Sequence, residues 1–250
     1  MQQTVMLIHS GGFTSRQWRK LAEQLAPRFR VLAPDLLGYG TSGAWPDGEP
    51  FHLRQDVEHL ETLLGDEPAH LVGHSYGGFL ALQIALRKPE LVRSIAVYEP
   101  VAVGVLDDVE DADARNALAL VQRSWNPGDN GADEAWLRAF VEWWNGPGAW
   151  DRLNEETRAS MRAVGWKIYQ EVLGLTTDKT DRATYATIAV PTLLLAGENS
   201  PMTERRVVER LGEALPHATV RVFPGVGHMA PISHAAVINE AITTHLAAHS

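Results

Sequence analysis

One serine stands between glycines in Leu71-Val72-Gly73-His74-Ser75-Tyr76-Gly77-Gly78, after an apolar run and ahead of a stretch with helical character. A G-x-S-x-G spacing of this kind suits a sharp turn from strand to helix that exposes the serine hydroxyl. Bulk two residues to either side would collide with neighbouring backbone. Ser75 is therefore the candidate nucleophile. Because a serine hydroxyl is a poor nucleophile at neutral pH, it needs a base within hydrogen-bond reach, normally a histidine held by a carboxylate. The chain has ten histidines, and position must separate them. His228 lies in Phe223-Pro224-Gly225-Val226-Gly227-His228-Met229, a glycine-rich loop after the last predicted strand, where an α/β sheet presents functional groups. His74 flanks Ser75 but should point to the opposite side of the turn as a structural residue. His59, His217, His234, His245 and His249 read as surface residues near helix faces, helix ends or the C-terminus.

Composition narrows the remaining chemistry. Cysteine is absent, which excludes disulfides, thiolate metal sites and cysteine nucleophiles. The formal charge of -9 is spread without long blocks of one sign, which argues against a nucleic-acid partner. With 250 residues and 45% hydrophobic content the chain can bury a large core, either one domain or a core with an insertion. The first residues run straight into a short apolar segment with no signal-peptide pattern, so a cytoplasmic location is the default expectation. No apolar run approaches the roughly 20 residues that span a bilayer.

The elements that must position Ser75 and His228 follow from periodicity. Strand-sized apolar runs recur at Val5 to Ile8, Arg30 to Ala33, His70 to Val72, Ser94 to Tyr98, Thr192 to Ala196 and Thr219 to Phe223. Amphipathic helical patterns fill Trp18 to Leu25, Gln55 to Leu64, Phe79 to Leu86 and Thr203 to Leu215. Strands alternating with helices predict parallel β-α-β units. Two intervals break the alternation: a loop rich in Gly and Pro from Tyr39 to Pro50, and about ninety residues without a strand between Tyr98 and Thr192, too long for a plain crossover. The second reads as a helical insertion. It holds Trp125, Trp136, Trp143, Trp144, Trp150 and Trp166, most of them expected to fill the core between short helices and one or two to face a pocket.

Four landmarks now stand in order: His9-Ser10-Gly11-Gly12 after the first strand, Asp35-Leu36-Leu37-Gly38-Tyr39-Gly40 after the second, the Ser75 turn, and the Gly227-His228 loop. In these the chain resembles the α/β-hydrolase family. The resemblance implies an α/β-hydrolase fold of about six mainly parallel strands flanked by helices, with an abbreviated N-terminus and a helical cap. Residues 1–100 and 186–250 would form the core, and 101–185 the cap, or lid. A sheet lacking the N-terminal hairpin of many relatives leaves an edge that a second subunit could cover, so a homo-oligomer is compatible with the chain.

The acid departs from the commonest family pattern, in which an aspartate follows the strand after the cap. Here that stretch reads Gly197-Glu198-Asn199-Ser200, with serine at the aspartate's position. Two candidates remain. Glu99 ends the strand before the insertion, an alternative acid position in some relatives, and adjacent parallel strands are only about 4.8 Å apart. Glu198 is the second candidate. For the oxyanion hole, the resemblance implies the backbone N–H groups of Tyr76 and Gly11, with Ser10 replacing the usual glycine of an H-G-x motif. Asp35 reads as a structural loop residue.

Together these imply a carboxylesterase-like serine hydrolase acting through an acyl-enzyme on Ser75, with His228 as base and Glu99 orienting it. No metal, nucleotide or organic cofactor is implied. The expected partner is a small or medium substrate with an apolar or aromatic portion. The same triad also serves C–C bond hydrolases, cofactor-free lyases and perhydrolases, and a slow-turnover binding protein is a further alternative. Dehalogenases and epoxide hydrolases of this family carry aspartate where this chain has Ser75.

Overall fold

Val5 and Leu7 of the first strand face one side, Met6 and Ile8 the other, and all four are fully buried. Successive side chains of a strand point to opposite faces, so a strand apolar at every position must be covered on both. That requirement organises the whole molecule. In this computed structural model, residues 2–124 and 133–250 are described, with the side chains of 120–124 left aside. Trp125, counted above within the insertion, lies outside the described residues.

Six strands, β1 (Thr4–Ile8), β2 (Arg30–Leu32), β3 (Ala69–His74), β4 (Val92–Tyr98), β5 (Thr192–Gly197) and β6 (Ala218–Phe223), form one sheet in the order β2-β1-β3-β4-β5-β6. All five pairings are parallel. Helices α1 (Arg19–Leu25), α2 (Leu53–Leu64) and α3 (Tyr76–Arg87) connect the first four strands. On one face, Val5, Leu7, Val72, Ala96, Leu193 and Leu195 pack against Trp18, Leu21 and Leu25 at α1 and against a C-terminal helix. On the other, Met6, Ile8, Leu71, Ile95, Val97 and Leu194 pack against residues of α2 and α3. The two cores are the two sides of one alternating pattern.

The interval between β4 and β5 contains, among its described residues, helices and no strand: α4 (Ala112–Ser124), α5 (Glu134–Asn145), α6 (Ala149–Arg152), α7 (Glu155–Ala163), α8 (Gly165–Thr177) and α9 (Arg182–Tyr185). Its tryptophans divide: Trp136 and Trp150 are buried, whereas Trp143, Trp144 and Trp166 are half-buried. After β5 come α10 (Met202–Ala214), β6, α11 (Ala230–Ser233) and α12 (Ala235–Ala248).

Most helical boundaries shift by one or two residues from the periodic reading, and two helices depart further. Helix α3 starts at Tyr76, not Phe79, because Gly77 and Gly78 add no apolar side chain to the pattern although both are helical. Helix α12 escaped the periodic reading because its alanines blur the contrast between faces, yet Ile238, Ile242 and Leu246 form a buried stripe at helical spacing. His245, on this helix, is half-buried and not a surface residue. Burial pushes its imidazole down to about 4.

Candidate active site

Ser75 sits between β3 and α3 at φ 53°, ψ -118°, a conformation a non-glycine residue adopts only when its surroundings enforce it. Those surroundings are visible. The Ser75 N–H donates to the Tyr98 carbonyl at 2.9 Å, and Phe79 N–H donates to the Ser75 carbonyl at 3.0 Å. A β-carbon on Gly73 would run into the backbone of Gly77, and one on Gly77 into the carbonyls of Ile8 and His9. Both flanking glycines are therefore steric necessities of the turn.

The loop carrying His228 is clamped from three strands. Asn199 N–H donates to the Val226 carbonyl (2.9 Å), Tyr98 Oη to the Gly227 carbonyl (2.8 Å), and His74 Nε2 to the His228 carbonyl (2.9 Å). Since His74 donates from Nε2 and burial holds its imidazole well below the usual range, its Nδ1 accepts from the Gln17 side-chain amide at 3.2 Å. Gln17 Oε1 in turn accepts from both the backbone N–H and the hydroxyl of Ser10, at 3.2 and 3.0 Å. Gln17 thus ties the Ser10-Gly11 loop to the His228 loop through His74, and it occupies the Ser10 hydroxyl that a glycine would lack. Sequence patterns carry no sign of that partnership.

Of the two candidate acids, the structure brings Glu99 to His228 and leaves Glu198 exposed. Oε2 of Glu99 lies 2.6 Å from His228 Nδ1. Its Oε1 accepts from Gly197 N–H at 2.7 Å and from the Ser200 hydroxyl at 2.5 Å. Three donors surround a fully buried carboxylate, which offsets the cost of removing it from water. Ser200, at the position of the commoner aspartate, serves here as a donor to the carboxylate one strand over. Glu198 instead accepts from Gly225 N–H at 3.0 Å. Nearby Glu204 is pushed above its ordinary carboxylate value by burial first and the Glu99 charge second.

Asp35 and His9 brace the loops. Burial raises the Asp35 carboxyl, but hydrogen bonds from Thr41 and Ser15 outweigh it and hold the group at about 2. His9 accepts Leu36 N–H at Nε2 (3.0 Å) and donates from Nδ1 to the Ser10 carbonyl (2.8 Å); burial lowers its imidazole to about 4. Both are structural in these contacts.

Ser75, His228, Gly11 and Tyr76 line one cavity of about 490 Å³. Its walls come largely from the helices between β4 and β5, including Phe140, Trp144, Met161 and Leu175. Trp144 stacks on the His228 imidazole with centroids 4.0 Å apart and planes 23° apart. Among the described residues, no group of three or more His, Asp or Glu is placed to hold a metal ion, and no helix is long and apolar enough to cross a membrane.

The profile of the α/β-hydrolase fold family matches residues 3–235. The chain belongs to the α/β-hydrolase family. This α/β-hydrolase is 31% identical over 251 residues to a pimeloyl-[acyl-carrier protein] methyl ester esterase of Chromobacterium violaceum, covering 97% of the chain and 93% of that protein. It is 28% identical to an sn-1-specific diacylglycerol lipase of Mus musculus, over 97% and 80% of the two chains. A thermophilic esterase from Thermogutta terrifontis has a similar fold, with a TM-score of 0.73 at 21% identity, over 100% of this chain and 92% of that one.

Beneath the cavity this α/β-hydrolase holds a group of charges that the motifs did not reveal. Lys167 Nζ donates to Asp56 Oδ2 at 2.9 Å and to Glu171 Oε1 at 2.7 Å, and all three residues are buried. Tyr76 Oη also donates to Asp56 (2.9 Å), and Lys167 Nζ lies 3.7 Å from the Phe51 ring centroid. The available sequence signal was a Lys–Glu pair four residues apart in α8, set among Ile168, Val172 and Leu175.

Proposed function

We propose that this chain is a serine hydrolase that cleaves a small or medium carboxylic ester through an acyl-enzyme on Ser75. The observation that carries the reading is the convergence of Ser75, His228, Gly11 and Tyr76 on one largely apolar cavity, with Glu99 bonded to the imidazole from behind. Glu99 accepts the Nδ1 proton of His228, which leaves Nε2 as the basic nitrogen. In acylation Nε2 takes the Ser75 proton as Oγ attacks the ester carbonyl. The Gly11 and Tyr76 N–H groups receive the oxyanion, and the imidazolium returns its proton to the departing alkoxide. Water then repeats the sequence on the acyl-enzyme and frees the acid. The imidazolium formed in each half-reaction is stabilised by the Glu99 carboxylate and by the Trp144 ring face stacked against it.

The helices of residues 101–185 act in this reading as a cap. They supply apolar walls that favour a substrate with an apolar or aromatic portion. The esterase and lipase relatives support ester hydrolysis over C–C bond cleavage. A fluorophosphonate probe followed by peptide mapping tests the nucleophile: we expect one adduct, on Ser75. A folded protein that hydrolyses p-nitrophenyl esters yet stays unlabelled at Ser75 would overturn the mechanism.

A further inference from the structure

Apart from Ser10 and the assigned Ser75, Tyr76 and His228, Glu171 is the buried polar residue among the described residues that line the cavity. Its neighbours there are Met161, Ile168, Val172 and Leu175, and its side chain is 2% exposed. A β-carbon added at Gly11 would come within 2.5 Å of Oε2, so the carboxyl lies directly against the glycine whose N–H is assigned to the oxyanion hole. The remaining polar lining residues Asn145, Arg152 and Thr157 are exposed, toward solvent.

Charge balance does not call for Glu171, which also bonds the buried Tyr39 hydroxyl. Lys167 already has Asp56 at 2.9 Å and the Phe51 ring against its ammonium, which makes a neutral buried pair without a third charged group. A second carboxyl adds desolvation cost on the cavity side. We propose that Glu171 forms a subsite that recognises a hydroxyl group on an otherwise apolar ester substrate, an inference that rests on the hydrolase reading above.

The choice of a hydroxyl follows from the chemistry of the trio. Burial, the largest influence, raises the Glu171 carboxyl to about 7, with Lys167 and a hydrogen bond with Tyr39 opposing and Asp56 reinforcing that shift, so both protonation states occur near neutrality. A hydroxyl donates to the ionised form and accepts from the protonated one. A carbonyl can pair only with the protonated acid, and an ammonium is matched only by the ionised form. A substrate carboxylate meets Asp56 and ionised Glu171, two negative groups against the single Lys167 charge, in a site with little water to screen them.

The test uses p-nitrophenyl hexanoate, its monohydroxy derivatives with the hydroxyl moved from carbon 2 to carbon 6, and the mono-p-nitrophenyl ester of adipic acid. We expect at least one hydroxylated ester to exceed the parent by about tenfold in kcat/KM, and the adipate ester to fall below the parent. Glu171→Leu should bring the ratio of hydroxylated to parent ester to about one, whereas Glu171→Gln, which keeps a donor and an acceptor, should retain part of it. The ratio cancels any loss common to both substrates, and Asp56–Lys167 remains a neutral pair in either variant.

Calorimetric binding of the corresponding methyl esters to Ser75→Ala separates the two readings, because it requires no turnover. If no hydroxylated ester binds or reacts better than its parent by threefold, the subsite is refuted even when Ser75 labels normally. If binding shows the preference while wild-type Ser75 fails to label, the subsite stands and the hydrolase reading falls.

Discussion

Glu99 reaches His228 from a left-handed backbone conformation: φ is 44° at Glu99, and Oε2 lies 2.6 Å from Nδ1. A non-glycine residue held there costs about 1–3 kcal/mol, so neighbouring contacts must hold it. Here Glu99 N–H donates to the Leu195 carbonyl at 2.9 Å, while Oε1 takes hydrogen bonds from Gly197 at the end of β5 and from Ser200 in the turn after it. The strand end, its strain and its carboxylate are directed at one imidazole.

Glu99→Gln should therefore lower kcat by about four orders of magnitude, as expected when the group orienting the base loses its charge and the tautomer is no longer enforced. Glu198→Gln, at an exposed residue bonded to Gly225, should stay within a few-fold of wild type. Steady-state kinetics on one p-nitrophenyl ester ranks the two, and the reverse order would remove Glu99 from the triad.

Replacing Lys167 tests the buried charges. In Lys167→Met, Asp56 and Glu171 lose their shared cation while staying buried, and the loss of stability should be about 3–5 kcal/mol in urea unfolding. Adding Asp56→Asn to that variant should recover part of the loss, since one uncompensated carboxylate is removed. Equal stability of Lys167→Met and wild type would mean that water reaches the trio.

The pH dependence of stability has two opposing sources. His9, His70 and His245 are lowered to about 4 by burial, and burial also holds His74 well below its ordinary value. The unfolded chain therefore binds more protons than the native one below about pH 6.5, and stability falls as pH drops from there toward 4. Glu171 acts in the other direction. With its carboxyl raised to about 7, its contribution is full below about 4.5 and is lost as pH rises through 7. Thermal melts across pH 4–8 should show the acid loss dominating in wild type. Glu171→Gln should remove the opposing slope between about pH 4.5 and 7, so that the acid loss steepens over that window, and an unchanged slope there would place the Glu171 carboxyl nearer its ordinary value.

Ser75, His228 and the alternating strands were legible in the sequence because each rests on a local rule. The elbow needs glycines at fixed offsets, a buried parallel strand needs an unbroken apolar run, and a functional loop follows a strand's C-terminal end. Glu99 could be preferred to Glu198 from its place at a strand end, but the contact itself depends on which carboxylate a neighbouring strand brings to Nδ1. The Gln17–His74 link, the stacking of Trp144 on His228 and the Asp56–Lys167–Glu171 trio were not legible. Each joins residues far apart in the chain, and their types alone fit equally well with a surface or an ordinary core. By itself the sequence determined the candidate nucleophile, the candidate base and the α/β alternation, which are set by short-range sterics and hydrophobic period. Only the tertiary structure decided which acid meets the imidazole and which carboxyl lies against Gly11. Those contacts arise where separate strand ends and the helices between β4 and β5 converge, and no local pattern encodes that convergence.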